Sequence, residues 1–322
     1  MKLEKHLIVG LGSIGKKHAQ VLRDHEQIIA GVDPYSKEKF EFECFSSLDQ
    51  GLDWQPDMVW LCTPTQNHAI DACTIIEKGI PLFIEKPVAH TLAHAHQILA
   101  AYEQQNRPSP VWVGCNMRYH PAVRELKRQL EQGRIGAPLI IKIHFSHWLP
   151  NMRPGTDYRR TYAAQKEGGG IILDDIHDID LACWLAGSGG TAAGCHASSG
   201  ALEMAAEDVA FIAIRHDNRV MSMIHMDYLR QNKSRGIEII GRDGTLEWRS
   251  LGKNPEEAVI KLFKGNETPE KVIWKASLSP GGDMFDRQFK AIQEQFNNPE
   301  NFKTGLSQGI DALALAMKVK TQ

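Results

Sequence analysis

Residues 5–33 read KHLIVGLGSIGKKHAQVLRDHEQIIAGVD. A short apolar run, Leu7–Val9, leads into Gly10-Leu11-Gly12-Ser13-Ile14-Gly15. An amphipathic segment, Lys16–His25, follows, then a second apolar run, Ile28–Val32, ending at Asp33. This order gives strand, tight turn, helix, strand and acid. Gly10 permits the turn, Gly12 lets the backbone approach a pyrophosphate, and Gly15 lets the helix close on the strand. The N–H groups at Ser13 and Ile14 then face the phosphates. An acid some 20 residues further on accepts hydrogen bonds from the ribose hydroxyls. It also repels a 2′-phosphate, so Asp33 favours NAD over NADP, a preference that Lys37 softens. The competing reading is a glycine turn in an unrelated α/β protein, with Asp33 capping a loop. The five features in sequence favour the nucleotide.

Outward from this stretch the pattern repeats. Apolar runs recur at Met58–Cys62, Leu82–Ile84 and Val111–Val113, separated by helical segments such as His68–Lys78. Short buried strands alternating with amphipathic helices predict βαβ units and a parallel sheet. Beyond Asn116 the texture changes. Pro121–Gly133 reads as a helix, with Pro at its start and Gly at its end. Leu139–His147, Val209–His216, Val220–Tyr228, Gly236–Ile240 and Thr245–Arg249 read as strands. Asp217-Asn218 and Arg242-Asp243-Gly244 supply hairpin turns. Helices are expected over Met284–Phe296 and Ser307–Lys318. The predicted fold class is α/β: an N-terminal parallel-sheet domain over residues 1–118, and an α+β domain with a mainly antiparallel sheet over 119–322.

The length, 322 residues, suits two domains. Lys and Arg number 37 against 39 Asp and Glu, a formal net charge of −2. Such a chain carries no global attraction to nucleic acid or anionic membrane. No apolar run approaches the roughly 20 residues of a membrane span. The N-terminus lacks a signal-peptide core. The six cysteines are scattered without a CxxC pair, which argues against a zinc knuckle or a disulfide framework. A cytoplasmic protein with reduced thiols is expected.

Two further clusters fall at predicted strand ends, where parallel-sheet proteins place ligands. In Cys62-Thr63-Pro64-Thr65-Gln66-Asn67-His68, Thr63 and Asn67 are placed to line a cofactor; alternatively Asn67 or His68 merely caps the next helix. In Phe83-Ile84-Glu85-Lys86-Pro87, partial desolvation would lower the pKa of Lys86 and fit it to donate a proton, whereas pairing with Glu85 would oppose that shift. Standing alone, Glu-Lys-Pro is an ordinary surface turn.

Together these residues resemble the Gfo/Idh/MocA oxidoreductases, named for glucose–fructose oxidoreductase and inositol dehydrogenase. The resemblance runs through Gly10–Gly15 with His18, Thr63-Pro64 and His68, Gly79, Glu85-Lys86-Pro87, and Asn116-Met117-Arg118-Tyr119-His120-Pro121. It ends with Gly168-Gly169-Gly170 and His177-Asp178-Ile179-Asp180. It implies a Rossmann domain, then a domain with a large open antiparallel sheet, with NAD or NADP in the cleft between them. Expected cofactor contacts are Gly10, Gly12, Ser13, Ile14, Gly15, Asp33, Thr63, Pro64, Asn67, His68, Glu85, Lys86 and Asn116. The resemblance gives Lys86 the catalytic lysine role and His177 that of acid–base. Many members carry Asp four residues before this histidine. Here that position is Leu173, and Asp174 lies three before it. A continuous helix would still put Asp174 on the face of His177, but would also offer Asp178; Asp180 is a third choice.

Oxidation of a secondary alcohol needs a base for the hydroxyl proton and a cation for the developing oxygen charge. An imidazole suits the first at pH 7, and a lysine ammonium suits the second. Tyr119, Trp148, Arg153, Asp157 and Tyr158 are candidate sugar contacts, although Trp148 and Tyr158 also suit a core or a subunit interface. The stretch Trp148–Arg159 resembles members from bacterial surface-sugar pathways. A divalent metal on Asp174–Asp180 or on His90 and His94 competes poorly; in the first case a helix spreads the acids over several faces, and in the second Thr91 reads as the N-cap of a solvated helix. Asp175 is expected to charge the first turn of a helix over Asp175–Ala186. No metal is expected. The activity implied is hydride transfer between a nicotinamide and a hydroxyl-bearing carbon of a sugar, cyclitol or nucleotide-sugar. The alternatives are a redox-neutral enzyme that retains NAD and a non-catalytic NAD-binding regulator. Ala210, Ile212 and Ile214, then Met221, Met223 and His225, alternate with other residues; one face suits covering helices and the other a subunit interface, and the resemblance implies a homodimer or homotetramer through the C-terminal sheet.

Overall fold

The computed structural model describes residues 3–152, 155–166, 168–250, 256–265, 271–279, 283–298 and 305–322. The chain divides into two compact units. Met1–Cys115 with Phe285–Leu313 form the first, and Asn116–Met284 with Ala314–Gln322 the second. A single cut at 118 therefore leaves out two crossings: residues 285–313 belong with the N-terminal unit, and 314–322 return to the second.

The first unit runs β1 (Lys5–Val9), α1 (Ser13–Asp24), β2 (Ile28–Val32), β3 (Glu43–Phe45), α2 (Leu48–Asp53), β4 (Met58–Leu61), α3 (His68–Glu77), β5 (Leu82–Ile84), α4 (Leu92–Glu103) and β6 (Val111–Val113). Its six strands lie in the order β3-β2-β1-β4-β5-β6, all parallel. This is the doubly wound Rossmann order. The central strands are apolar throughout because both faces are covered: Leu7, Ile8, Val59, Leu61 and Phe83 are fully buried. The edge strand β3 has no apolar run to announce it.

The second unit contains α5 (Pro121–Glu131), β7 (Pro138–Trp148), α6 (Ile171–Asp174), α7 (His177–Ala186), β8 (Gly190–Ala197), β9 (Val209–His216), β10 (Met221–Asp227), β11 (Leu229–Gly241), β12 (Gly244–Ser250), β13 (Glu256–Phe263) and β14 (Lys271–Leu278). The strands form one sheet in the order β14-β13-β12-β11-β7-β10-β9-β8. Every pairing is antiparallel except β7 with β10. The period-2 pattern sorts the faces. Ala210, Ile212 and Ile214 are buried, whereas Phe211, Met221 and Met223 are 50%, 43% and 54% exposed. α7 packs on β7.

Two helices close the chain. α8 (Met284–Asn297) lies, from Phe285 on, in the first unit, and α9 (Leu306–Lys320) divides between the two. Phe289 joins the core that contains Trp60, Phe83 and Leu22. Burying one such ring contributes about 1.5–3 kcal/mol.

Candidate active site

The nucleotide half is built at the carboxyl ends of β1, β2 and β4. Gly10 sits at φ +93°, and its N–H donates to Val32 O at 2.8 Å. A Cβ there would stand 2.7 Å from Cys62 O, and one on Gly15 would stand 1.9 Å from Gly10 O. Both glycines are fixed by close packing. Gly12 differs: a Cβ on it would meet no atom within 4 Å. It is the N-cap of α1 and brings no side-chain cap, so the helix start presents its N–H groups to open space. That cradle fits a pyrophosphate. Asp33 Oδ2 accepts from Leu11 N at 2.9 Å, and Oδ1 accepts from Tyr35 N and Ser36 N at 3.0 Å each. These bonds hold the carboxylate at the end of β2. Two carboxylate oxygens offer about four acceptor sites in all, which leaves capacity for a ribose hydroxyl. The residues present thus fit a dinucleotide.

Thr63, Pro64 and Asn67 lie at the end of β4, with Asn67 exposed in a 3-10 turn. Asn67 occupies the N-cap position of α3 but makes no side-chain cap bond. His68 departs from its expected role as a cofactor contact. It is 1% exposed, and its ring nitrogens lie 2.9 Å from Thr63 O and 3.1 Å from Pro87 O. It braces the Thr63 loop to the segment after Lys86. Burial lowers its pKa. Glu85 is buried too: Oε1 lies 2.8 Å from His18 Nε2, and Oε2 accepts from Lys86 N at 3.1 Å. Rings of Trp60 and Phe83 flank His18 at 4.9 and 5.1 Å. Glu85 is thus a support beneath Lys86. Lys86 itself is half-buried at the end of β5. Thr91 caps α4 as expected, accepting from His94 N at 3.2 Å.

The segment around His177 lies in the second unit. Of the three glycines before it, Gly168 sits at φ +74°, and Gly169 and Gly170 are sterically required. A Cβ on Gly169 would stand 2.3 Å from both Tyr162 O and Gln165 O. One on Gly170, at φ +87°, would lie 2.2 Å from Glu207 Oε1. The turn enters α6, which ends at Asp174; α7 then begins at His177. The expected single helix over Asp175–Ala186 is therefore broken before His177, and the i, i+3 argument for Asp174 does not hold.

The acids of the run divide among three sets of partners, with Asp175 and Asp178 sharing Arg235. Asp174 accepts from the Tyr228 hydroxyl at 2.8 Å and from the Tyr162 hydroxyl. Asp175 does not charge a helix start; it is buried and takes Arg235 Nη2 at 2.5 and 2.6 Å. Asp178 is fully buried 3.4 Å from the same guanidinium, and desolvation pushes its carboxyl well up. Asp180 holds Arg118 Nε at 2.7 Å. Among these four acids Asp174 is the one held by tyrosine hydroxyls, whereas the other three meet an arginine. His177 is 9% exposed. Burial lowers the pKa of His147, whose ring meets that of Tyr228 edge-on at 5.1 Å.

The expected substrate contacts separate. Tyr119 and Trp148 are half-buried, at the end of a 3-10 turn and of β7. Asn116 opens that 3-10 turn. Tyr158 and Asp157 serve their own loop: the Tyr158 hydroxyl donates to Leu202 O at 2.9 Å, and Asp157 pairs with Arg159 at 2.9 Å. Arg153 lies outside the described residues. Tyr162, Tyr228, Arg235 and His147 went unread in the sequence. Only the polar Tyr228, set at the end of an apolar alternation, offered a signal. Among the described residues no group of three His, Cys, Asp or Glu could hold a metal ion. No helix there is long and apolar enough to cross a membrane.

Residues 5–114 match the oxidoreductase family with an NAD-binding Rossmann fold, and residues 123–247 match the GFO/IDH/MocA C-terminal domain. The chain is 30% identical over 258 residues to the uncharacterized oxidoreductase YrbE of Bacillus subtilis, covering 74% of this chain and 71% of that one. It is 30% identical over 218 residues to inositol 2-dehydrogenase 2 of Saccharopolyspora erythraea, covering 67% and 59%. In fold it resembles an oxidoreductase from Agrobacterium radiobacter in complex with NAD+, L-tartaric acid and magnesium. That match has a TM-score of 0.80 at 19% identity and covers 99% of this chain and 96% of that one. The class is an NAD-binding oxidoreductase of the dehydrogenase type. The chain belongs to the Gfo/Idh/MocA oxidoreductase family.

Proposed function

We propose that this protein is an NAD-dependent dehydrogenase that oxidises, reversibly, a hydroxyl-bearing carbon of a sugar or cyclitol. The observation that carries the reading is the set of acids around His177: three are committed to arginines, and Asp174 alone is held by tyrosine hydroxyls. Inositol 2-dehydrogenase 2, named above, points to the same substrate class.

Gly10, Gly12, Ser13 and Gly15 hold the pyrophosphate, and Asp33 selects NAD through the ribose. Bound NAD supplies the hydride acceptor. His177 takes the hydroxyl proton. The Lys86 ammonium stabilises negative charge on the substrate oxygen. Tyr119 and Trp148 contact the ring, and Asp174 orients His177. The exposed Phe211, Met221 and Met223 support pairing of subunits through the sheet, and we place the enzyme in the cytoplasm.

The test is calorimetric titration of NAD+ and NADP+, followed by absorbance of reduced cofactor against a sugar and cyclitol panel. Tight NAD+ binding with turnover on one compound is expected. Lys86→Met and His177→Asn should each lower kcat about 10²–10⁴-fold, and His177→Asn should leave NAD+ affinity intact. Binding without reduction of cofactor by any compound would move the protein to the redox-neutral or regulatory class.

A further inference from the structure

The open face of the second unit's sheet carries a cavity of about 400 Å³ that none of the catalytic residues line. His144, Arg230, Lys233, Ser234 and Arg249 form its walls. The register explains why they meet. Gly236 pairs with His144 on one side and Arg249 on the other, so β7, β11 and β12 present one row. A Cβ on Gly236 would stand 2.5 Å from His144 Cε1. Glycine there lets the imidazole lie across β11, where Nε2 reaches Ser234 Oγ at 3.0 Å.

Among the described residues the lining holds Arg230, Lys233 and Arg249 and no acid, with Glu256 behind Ser250 and Lys233. Burial lowers the His144 pKa, and Arg249, His225, Arg230 and Arg235 lower it further. The acids on the same face are paired: Glu247 accepts from Arg249, Asp227 lies 3.1 Å from His225, and Glu238 lies 3.0 Å from Lys142. Residues bearing two guanidinium groups, an ammonium, a hydroxyl and an imidazole thus line a space wide enough for a diphosphate, with Arg230 Nε on Asn232 O and Arg249 Nε on Glu247 and their remaining N–H groups left to donate. Planar guanidinium forks match phosphoryl oxygens two at a time.

We propose that this cavity binds a phosphate-type oxyanion, free or carried by a small organic molecule. The site uses other residues than the hydride-transfer chemistry. It lies on the opposite face of β7 from Ile141 and Ile143, the face that also carries Met221 and Met223 and is assigned above to subunit pairing.

The experiment is calorimetric titration of pyrophosphate, at low ionic strength, into the full chain saturated with NAD+. A parallel titration uses the Arg230→Gln/Arg249→Gln double variant. One site per chain is expected, weakened at least tenfold in the variant, with melting temperature and NAD+ affinity unchanged. His144→Gln, which keeps both arginines, should weaken binding less. Titration with uridine diphosphate separates the sources: tighter binding than pyrophosphate marks an organic diphosphate, and equal or weaker binding marks the inorganic ion. Equal affinity in wild type and double variant, or no binding by the wild type, would overturn the proposal. Loss of self-association in the variant without pyrophosphate binding would overturn it too, and assign the arginines to a subunit contact.

Discussion

His6 is fully buried in β1 and has one proton to place. Trp60 Nε1 donates to its Nδ1 at 3.0 Å, which puts the imidazole hydrogen on Nε2, facing Gln27 Oε1 at 3.2 Å. Burial lowers its pKa to about 4. The unfolded chain, near 6.5, binds a proton first as pH falls, so the folded state loses about 3 kcal/mol between pH 6.5 and pH 4 from this residue. Above pH 6.5 the effect is absent. Urea unfolding across this range should show the loss, and His6→Gln should flatten it. Arg235 presents the opposite problem. It lies 3.7 Å over the Phe145 ring and serves two buried carboxylates. Arg235→Met strands Asp175 and Asp178, and should cost about 3–5 kcal/mol at neutral pH, read from the urea midpoint. The local pattern revealed the acids around His177 but not their partners. Arg235, Tyr228 and Tyr162 arrive from distant segments, and each is an unremarked polar residue in its own.

At the scale of an element, the glycine turn separates packing from binding. Gly12 has φ −67° and empty space where a Cβ would go, whereas Gly15 faces Gly10 O at 1.9 Å. Gly12→Ala should therefore keep the melting temperature and lose NAD+ affinity, and Gly15→Ala should lower the melting temperature outright. If both variants simply melted early, the cradle assigned to Gly12 would be wrong. The strands at β1, β2, β4, β5 and β6 were legible because each is a dense apolar run. β9, β10 and the hairpin at Asp217-Asn218 were legible from alternation and turn chemistry. β8 was not: its sequence, GTAAGCHA, lacks the residues that favour strands. Its glycines are spent on close approach, since a Cβ on Gly190 or Gly194 would stand 2.3 Å from the backbone of β9. The break between α6 and α7 was hidden for the converse reason, because nothing in IILDDIHDID interrupts a helical pattern.

At the scale of the whole molecule, the exposed apolar residues of the sheet form a surface that a monomer would leave wet. Met223 is 54% exposed on β10. The subunit pairing proposed above predicts that Met223→Glu reduces self-association, measured by light scattering, without changing the melting temperature of the isolated subunit by more than a degree or two. The separation into two halves was visible in the change of pattern after Asn116. The return of residues 285–313 to the first unit was not, because a helix amphipathic over Phe285, Phe289 and Ile292 does not say which core it serves.

That return has a consequence for birth on the ribosome. The nucleotide-binding half emerges first, yet the face of Trp60 and His18 that Phe285 and Phe289 cover stays bare until the far end of the chain is made. At 5–20 residues per second the wait is on the order of ten to thirty seconds. For that interval the nascent chain displays an aromatic surface that a chaperone can hold, and a fragment cut at residue 118 would display it for good.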